Sequence, residues 1–213
     1  MKNLHVGALV LATVAWATGT AGQDITIRLA NGTESEEAAR RQLQAIMTRF
    51  DVTPWLFTAD VVIERGAIPH SHPVLTLNTR DLDNDTAKLS TFLHEQIHWL
   101  VYADSNGTAA AIRELQARYP AVPVGRPDGA RSEFSTYLHL IVCWLELDAM
   151  THFVGADAAR ALLADQRFYR WIYERVLTET QEIGNIIRRH GLLIDNPPVL
   201  DRDRLDINFE VQQ

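Results

Sequence analysis

Three residues in this 213-residue chain stand at a spacing that can hold a metal ion. They are His94, Glu95 and His98, in the run Thr91-Phe92-Leu93-His94-Glu95-Gln96-Ile97-His98-Trp99-Leu100. On a helix, positions four apart lie on one face, one turn from each other. Two imidazoles so placed can bind one Zn²⁺ through their nitrogens. Glu95 follows the first histidine directly and points beside the metal, where a carboxylate can take a proton from a metal-bound water whose pKa has fallen to ~7. At this His and Glu content, random placement yields H-E-x-x-H about 0.02 times per chain, so coincidence is a poor explanation. The neighbours argue the same way. Glu95 is the only charged residue from Ser90 to Tyr102. A solvated helix face would not lack Lys and Arg for so long, whereas a metal site needs such a dry wall.

The elements that must position these residues follow from patterning. Asp24 to Leu29 alternates Ile25, Ile27 and Leu29 with polar neighbours, as a half-buried strand does. Asn31-Gly32 is a turn, and Thr33-x-x-Glu36 is a capping box that opens a helix running through Phe50. Asp60–Glu64 and Val74–Asn78 read as strands, joined by a Pro-bounded loop that holds His70 and His72. Caps at 83–85 predict a helix from Thr86 to Ala103, which carries the motif and is expected to end at Asn106-Gly107. A helix is predicted over Thr108–Tyr119, then a Pro- and Gly-rich loop over Pro120–Gly129. A long apolar helix covers Arg131–Thr151, and one or two more fill Asp157–His190 up to Gly191. Asn196-Pro197-Pro198 begins an extended tail. Strands first and helices later give the α+β class: a small N-terminal sheet followed by a mostly helical domain with the H-E-x-x-H helix at its centre.

The ten residues Thr91–Leu100 resemble the extended motif of the zincin metallopeptidases. Thr stands three places before the first His, uncharged residues surround the motif, and Leu100 lies two places after the second His. A sheet ahead of the active helix is similar too. The resemblance implies that His94 and His98 bind zinc and that Glu95 is the general base. It also implies that an edge strand holds a peptide substrate in extended form, and Val74–Asn78 is the candidate by position.

A third ligand must come from elsewhere. Val101 and Asp104 stand where one zincin branch has Gly and its last ligand, and without that glycine the chain does not turn easily back toward a metal. Another branch takes its ligand from a later helix, here 131–151. His139, Cys143 and Glu146 share one stripe of that helix, while Glu133 and Tyr137 share another. Polar groups amid so much Leu, Ile, Val and Trp are costly to bury without partners. His139 is the expected third ligand, with Glu133 and Glu146 as alternatives. If His139 binds, Glu146 can orient an imidazole from behind. Tyr137 is the candidate donor to a developing oxyanion, against a plain role in the core. Cys143 reads as packing. His70 and His72 read as solvated loop residues, and His152 and His190 as helix-end charges. The aromatics Phe168, Tyr169, Trp171 and Tyr173 read mainly as core, with a share of them free to wall a substrate cleft.

Composition bounds the rest. Hydrophobic residues make up 46% and charged residues 22%, enough for one sizeable core and too ordered a mixture for a disordered chain. A net charge of -7 disfavours nucleic acid as partner. One cysteine excludes an internal disulfide. Lys2, the apolar run Val6–Ala17 and the small residues up to Gly22 form a signal-peptide pattern, with cleavage expected after Ala21. The expected layout is a signal peptide over 1–21 and a single metallohydrolase domain over 22–213, secreted or periplasmic, with no stable membrane insertion after cleavage. The expected partner is a peptide or protein substrate, and the expected cofactor is Zn²⁺. A non-catalytic binding or sensor module that keeps the metal site is the alternative.

Overall fold

Glu36 shows how the capping box becomes tertiary structure. In the computed structural model, which describes residues 25–194, Thr33 caps helix α1 (Glu34–Arg49) and the Glu36 carboxylate reaches back to Thr33 N–H. The same carboxylate accepts from Asn31 N–H at 3.0 Å and from Arg65 N–H at 2.8 Å. One buried side chain therefore ties the turn after β1 (Thr26–Leu29) to the end of β2 (Asp60–Ile63). Those three bonds, with a fourth from Asn31 Nδ2 at 3.1 Å, hold the Glu36 carboxyl down to about 2, led by the Arg65 amide and opposed by burial.

The strands β1, β2 and β3 (Leu75–Leu77) form one parallel sheet in that order, with Leu29 opposite Ile63 and Ile63 opposite Leu77. Helix α1 is the crossover between β1 and β2. After β2 the chain passes beyond the position of β3, pairs His70 antiparallel to Thr76, and turns back to fill the slot between. The N–H and C=O of Thr76 are both bonded to His70, at 2.8 and 3.1 Å. The outer edge of β3 is therefore occupied at Thr76, and the 68–71 segment takes the outermost place that the sequence suggested for Val74–Asn78.

Helix α2 (Asp85–Ala103) starts at its cap Asn84 and is clamped by two buried polar residues. Lys88 Nζ donates to the carbonyls of Asn78 and Arg80, pinning the helix start to the end of β3. Gln96 Oε1 accepts from Phe57 and Thr58 N–H at 2.8 and 2.9 Å, and its Nε2 donates to Thr58 C=O at 2.9 Å. Those bonds fix the rotation of α2 about its axis, because Gln96 faces the sheet side while His94 and His98 face the other way.

Asp104 ends α2 and at once caps α3 (Ser105–Arg118), accepting from Gly107 N–H at 2.9 Å. Asn106-Gly107 thus lies inside the first turn of α3 rather than ending α2, because the Asp104 side chain supplies the start signal earlier. Helix α4 (Glu133–Val154) is the central column and packs against α2, α3, α5 (Ala156–Ala164), α6 (Arg170–Thr178) and α7 (Thr180–Arg189). Gly184 of α7 lets the Trp144 ring approach its backbone, where a Cβ would stand 2.4 Å from the ring. Where the sequence suggested one or two helices after residue 156 there are three, because breaks at Gln166–Tyr169 and Glu179 divide the run. Among the described residues no helix is long and apolar enough to cross a membrane. The expected signal peptide over 1–21 and the tail from Asn196 lie outside those residues.

Candidate metal centre

Helices α2 and α4 pack extensively against each other, and their contact brings three histidines together. His94 and His98 project from α2 and His139 from α4, with ligand nitrogens within 4.8 Å of one another. The ring centroids lie 5.1 Å apart for His94–His98, 4.9 Å for His98–His139 and 5.7 Å for His94–His139. His94 and His139 are buried and His98 is partly so.

Hydrogen bonds behind the rings set which nitrogen faces the cluster. His94 Nδ1 donates to Glu146 Oε2 at 2.9 Å, and His139 Nδ1 donates to Ser135 C=O at 2.6 Å. In both rings this leaves Nε2 as the atom with a lone pair to offer. Glu146 is buried and fully engaged. Its Oε1 accepts from Ser90 Oγ at 2.5 Å, and its Oε2 accepts from Tyr173 Oη at 2.8 Å as well as from His94. Cys143 completes a second convergent group with His94 and Glu146. Its His94 and Glu146 are already joined through Nδ1, so we read the group as the support of His94.

The electrostatics fit the same division. Burial disfavours the His94 imidazolium, but Glu146 and Cys143 together outweigh it and lift the pKa well above the usual histidine value. Burial, then the charge at His94, drives His139 down to about 3, and the Ser135 carbonyl opposes this. Burial and the neighbouring imidazoles drive His98 well down too. His98 and His139 are thus neutral as a cation requires, and metal binding at His94 would release the proton that Glu146 favours there. Burial pushes the Glu95 carboxyl up to about 7, against the pull of His94 and His70.

The other sequence candidates fall elsewhere. Tyr137 is buried and donates its hydroxyl to Tyr119 C=O at 2.6 Å, which commits that proton to the packing of α4 on the loop after α3. Tyr137 and His139 are two positions apart, about 200° around the helix, so they face opposite ways. Glu133 is exposed in the first turn of α4, and Asp104 is a helix cap. His72 stacks on Trp99 at 4.2 Å, and Trp99 Nε1 donates to Ser71 C=O at 3.0 Å, so the loop read as solvated is fastened to α2. His152 packs on Trp55, and His190 pairs with Glu114.

Tyr169 is the site residue that patterning did not single out. Its ring lies 4.4 Å from His139 and stacks at 6.3 Å, 8° from parallel, on His94. Its backbone is left-handed, with φ 57°, just before α6. A bulky residue in that region costs on the order of 1 kcal/mol, and such strain collects at functional sites. Its phenol is held above its ordinary pKa by burial, against the charge at His94. Comparison with known proteins adds no family to this geometry: no family model matches the chain, and neither does any curated protein or solved structure.

Proposed function

We propose that this chain is a metal-dependent hydrolase, most directly a secreted zinc peptidase of the zincin type. The observation that carries the reading is the convergence of three imidazoles, two of them fixed through Nδ1, on one point beside a buried glutamate. His94, His98 and His139 would hold the ion. An all-imidazole set suits zinc, and three protein ligands leave a fourth position for water or substrate. The ion, when bound, supplies Lewis acidity to the scissile carbonyl and to the attacking water.

The remaining steps fall to the chain's own side chains. Glu95 takes the proton from the attacking water as the C–O bond forms, and delivers it to the leaving nitrogen as the C–N bond breaks. A carboxyl near 7 is suited to both transfers. We assign to Tyr169, rather than Tyr137, the donor for negative charge developing on the carbonyl oxygen, because its ring flanks two of the three imidazoles. The backbone near His70 is the outermost stretch of the sheet and the best-placed edge for an extended peptide.

The test is Glu95→Gln in zinc-loaded protein against a peptide library. The expected result is loss of cleavage with zinc retained. Cleavage at the wild-type rate would overturn the mechanism. Retained zinc with no cleavage by the wild type would favour a binding or sensor module.

A further inference from the structure

Arg126 is an exposed cation on the loop between α3 and α4. The loop that carries it is held at several points. Gly125 N–H donates to Ala130 C=O at 2.6 Å, and Gly129 N–H donates to Gly125 C=O at 2.9 Å. Thr136 Oγ1 accepts from Ala130 N–H and donates to Pro123 C=O. Arg170 N–H donates to Pro127 C=O at 3.1 Å, joining the loop to the start of α6. Gly125 takes φ 86° to make the turn.

The side chain is braced as well. The Arg126 guanidinium carbon stands 4.4 Å from the centroid of the Phe168 ring, and Phe168 is 43% exposed. The next residue is Tyr169, whose ring lies against His139. Arg126 is thus linked to the histidine cluster through Phe168 and its chain neighbour Tyr169.

Nearby, Arg170 pairs with Asp128, and Arg175 with Glu174 and Glu179, whereas Arg131 and Arg167 share with Arg126 the lack of an ion pair among the described residues. Among the described residues, no carboxylate lies within ion-pair distance of Arg126. A guanidinium held on an aromatic face, with no carboxylate partner among the described residues, can offer its charge to an anionic ligand.

We infer that Arg126 anchors a carboxylate of the substrate, so that the enzyme selects peptides carrying a negative charge near the cleaved bond. The inference rests on the peptidase reading above. A guanidinium takes a carboxylate through two parallel N–H···O bonds, and the Phe168 face keeps its plane fixed for that purpose. The carboxylate is either the C-terminus of the peptide or an Asp or Glu side chain.

Matched peptides separate the two sources: free acid against C-terminal amide, and Asp or Glu against Asn or Gln. The zinc-loaded full-length chain should cleave one acidic member about tenfold better than its neutral partner in kcat/KM. Arg126→Ala should bring that ratio to about one, and Arg126→Glu should invert it. Binding of the same pairs to the zinc-loaded Glu95→Gln chain, followed by calorimetry, gives a readout that needs no turnover. The acidic member should bind more tightly, and Arg126→Ala in that background should erase the difference. An unchanged ratio in Arg126→Ala, or equal binding of acidic and neutral peptides, would overturn the inference. Absence of cleavage by the wild type together with charge-selective binding would instead remove the peptidase reading and leave the anchor standing.

Discussion

Glu146 Oε2 accepts a hydrogen bond from His94 Nδ1 at 2.9 Å, joining two helices across 52 positions of sequence. The carboxylate also takes hydroxyl bonds from Ser90 and Tyr173, so it is held on every side and holds His94 in turn. Such a partner fixes the tautomer and direction of a ligand ring. Glu146→Gln should weaken metal binding by about 10–100-fold, measured by competition with a chromophoric chelator. Cys143→Ala should bind nearly as the wild type does. A larger loss in Cys143→Ala than in Glu146→Gln would place the ion in the inner His94–Cys143–Glu146 group instead.

Tyr169 combines a left-handed backbone with a ring over His94 and His139. Tyr169→Phe keeps the ring and the backbone and removes only the hydroxyl. The metal content should stay at the wild-type level while kcat falls about 10²-fold, with KM little changed. Equal kcat values for the two proteins would take Tyr169 out of the chemistry. The same change at Tyr137 should instead act on stability, because its hydroxyl bonds the Tyr119 carbonyl.

Glu36 makes stability depend on acidity. Its carboxyl is lowered from an ordinary 4.5 to about 2 in the folded chain, first by the Arg65 amide. A group lowered by folding adds stability in full above its unfolded value and loses it as pH falls through the folded one. The urea midpoint of the wild type should therefore drop between about pH 5 and pH 2 more steeply than that of Glu36→Gln. The gap between the two should close at the acid end. A gap of constant size across that range would mean that Glu36 acts through neutral hydrogen bonds alone.

Local signals made much of this legible in the sequence. The capping box at Thr33 and Glu36, the strands at 60–64 and 74–78, and the H-E-x-x-H helix depend on neighbours within a turn or two, and patterning reads those directly. The stripe of His139, Cys143 and Glu146 was readable because helical period puts them on one face, and that face meets His94. What patterning missed depends on distant contacts. Tyr169 takes a left-handed backbone that no tyrosine signals, and it reaches the site only because α6 folds back over α4. Gln96 looked like a spacer in the motif, yet it satisfies three backbone groups of residues 57 and 58. The edge of β3 looked free because the antiparallel return through His70 has no strand pattern of its own.

Metal content tests the central claim most directly. Mass spectrometry of the purified chain, loaded with zinc and desalted, should give about one zinc per chain for the wild type and for Glu133→Ala. His94→Ala, His98→Ala and His139→Ala should each lose it, His139→Ala while keeping the helical signal of the folded chain. A wild type that holds no metal, or a His139→Ala chain that binds zinc as tightly as the wild type, would contradict the three-histidine centre.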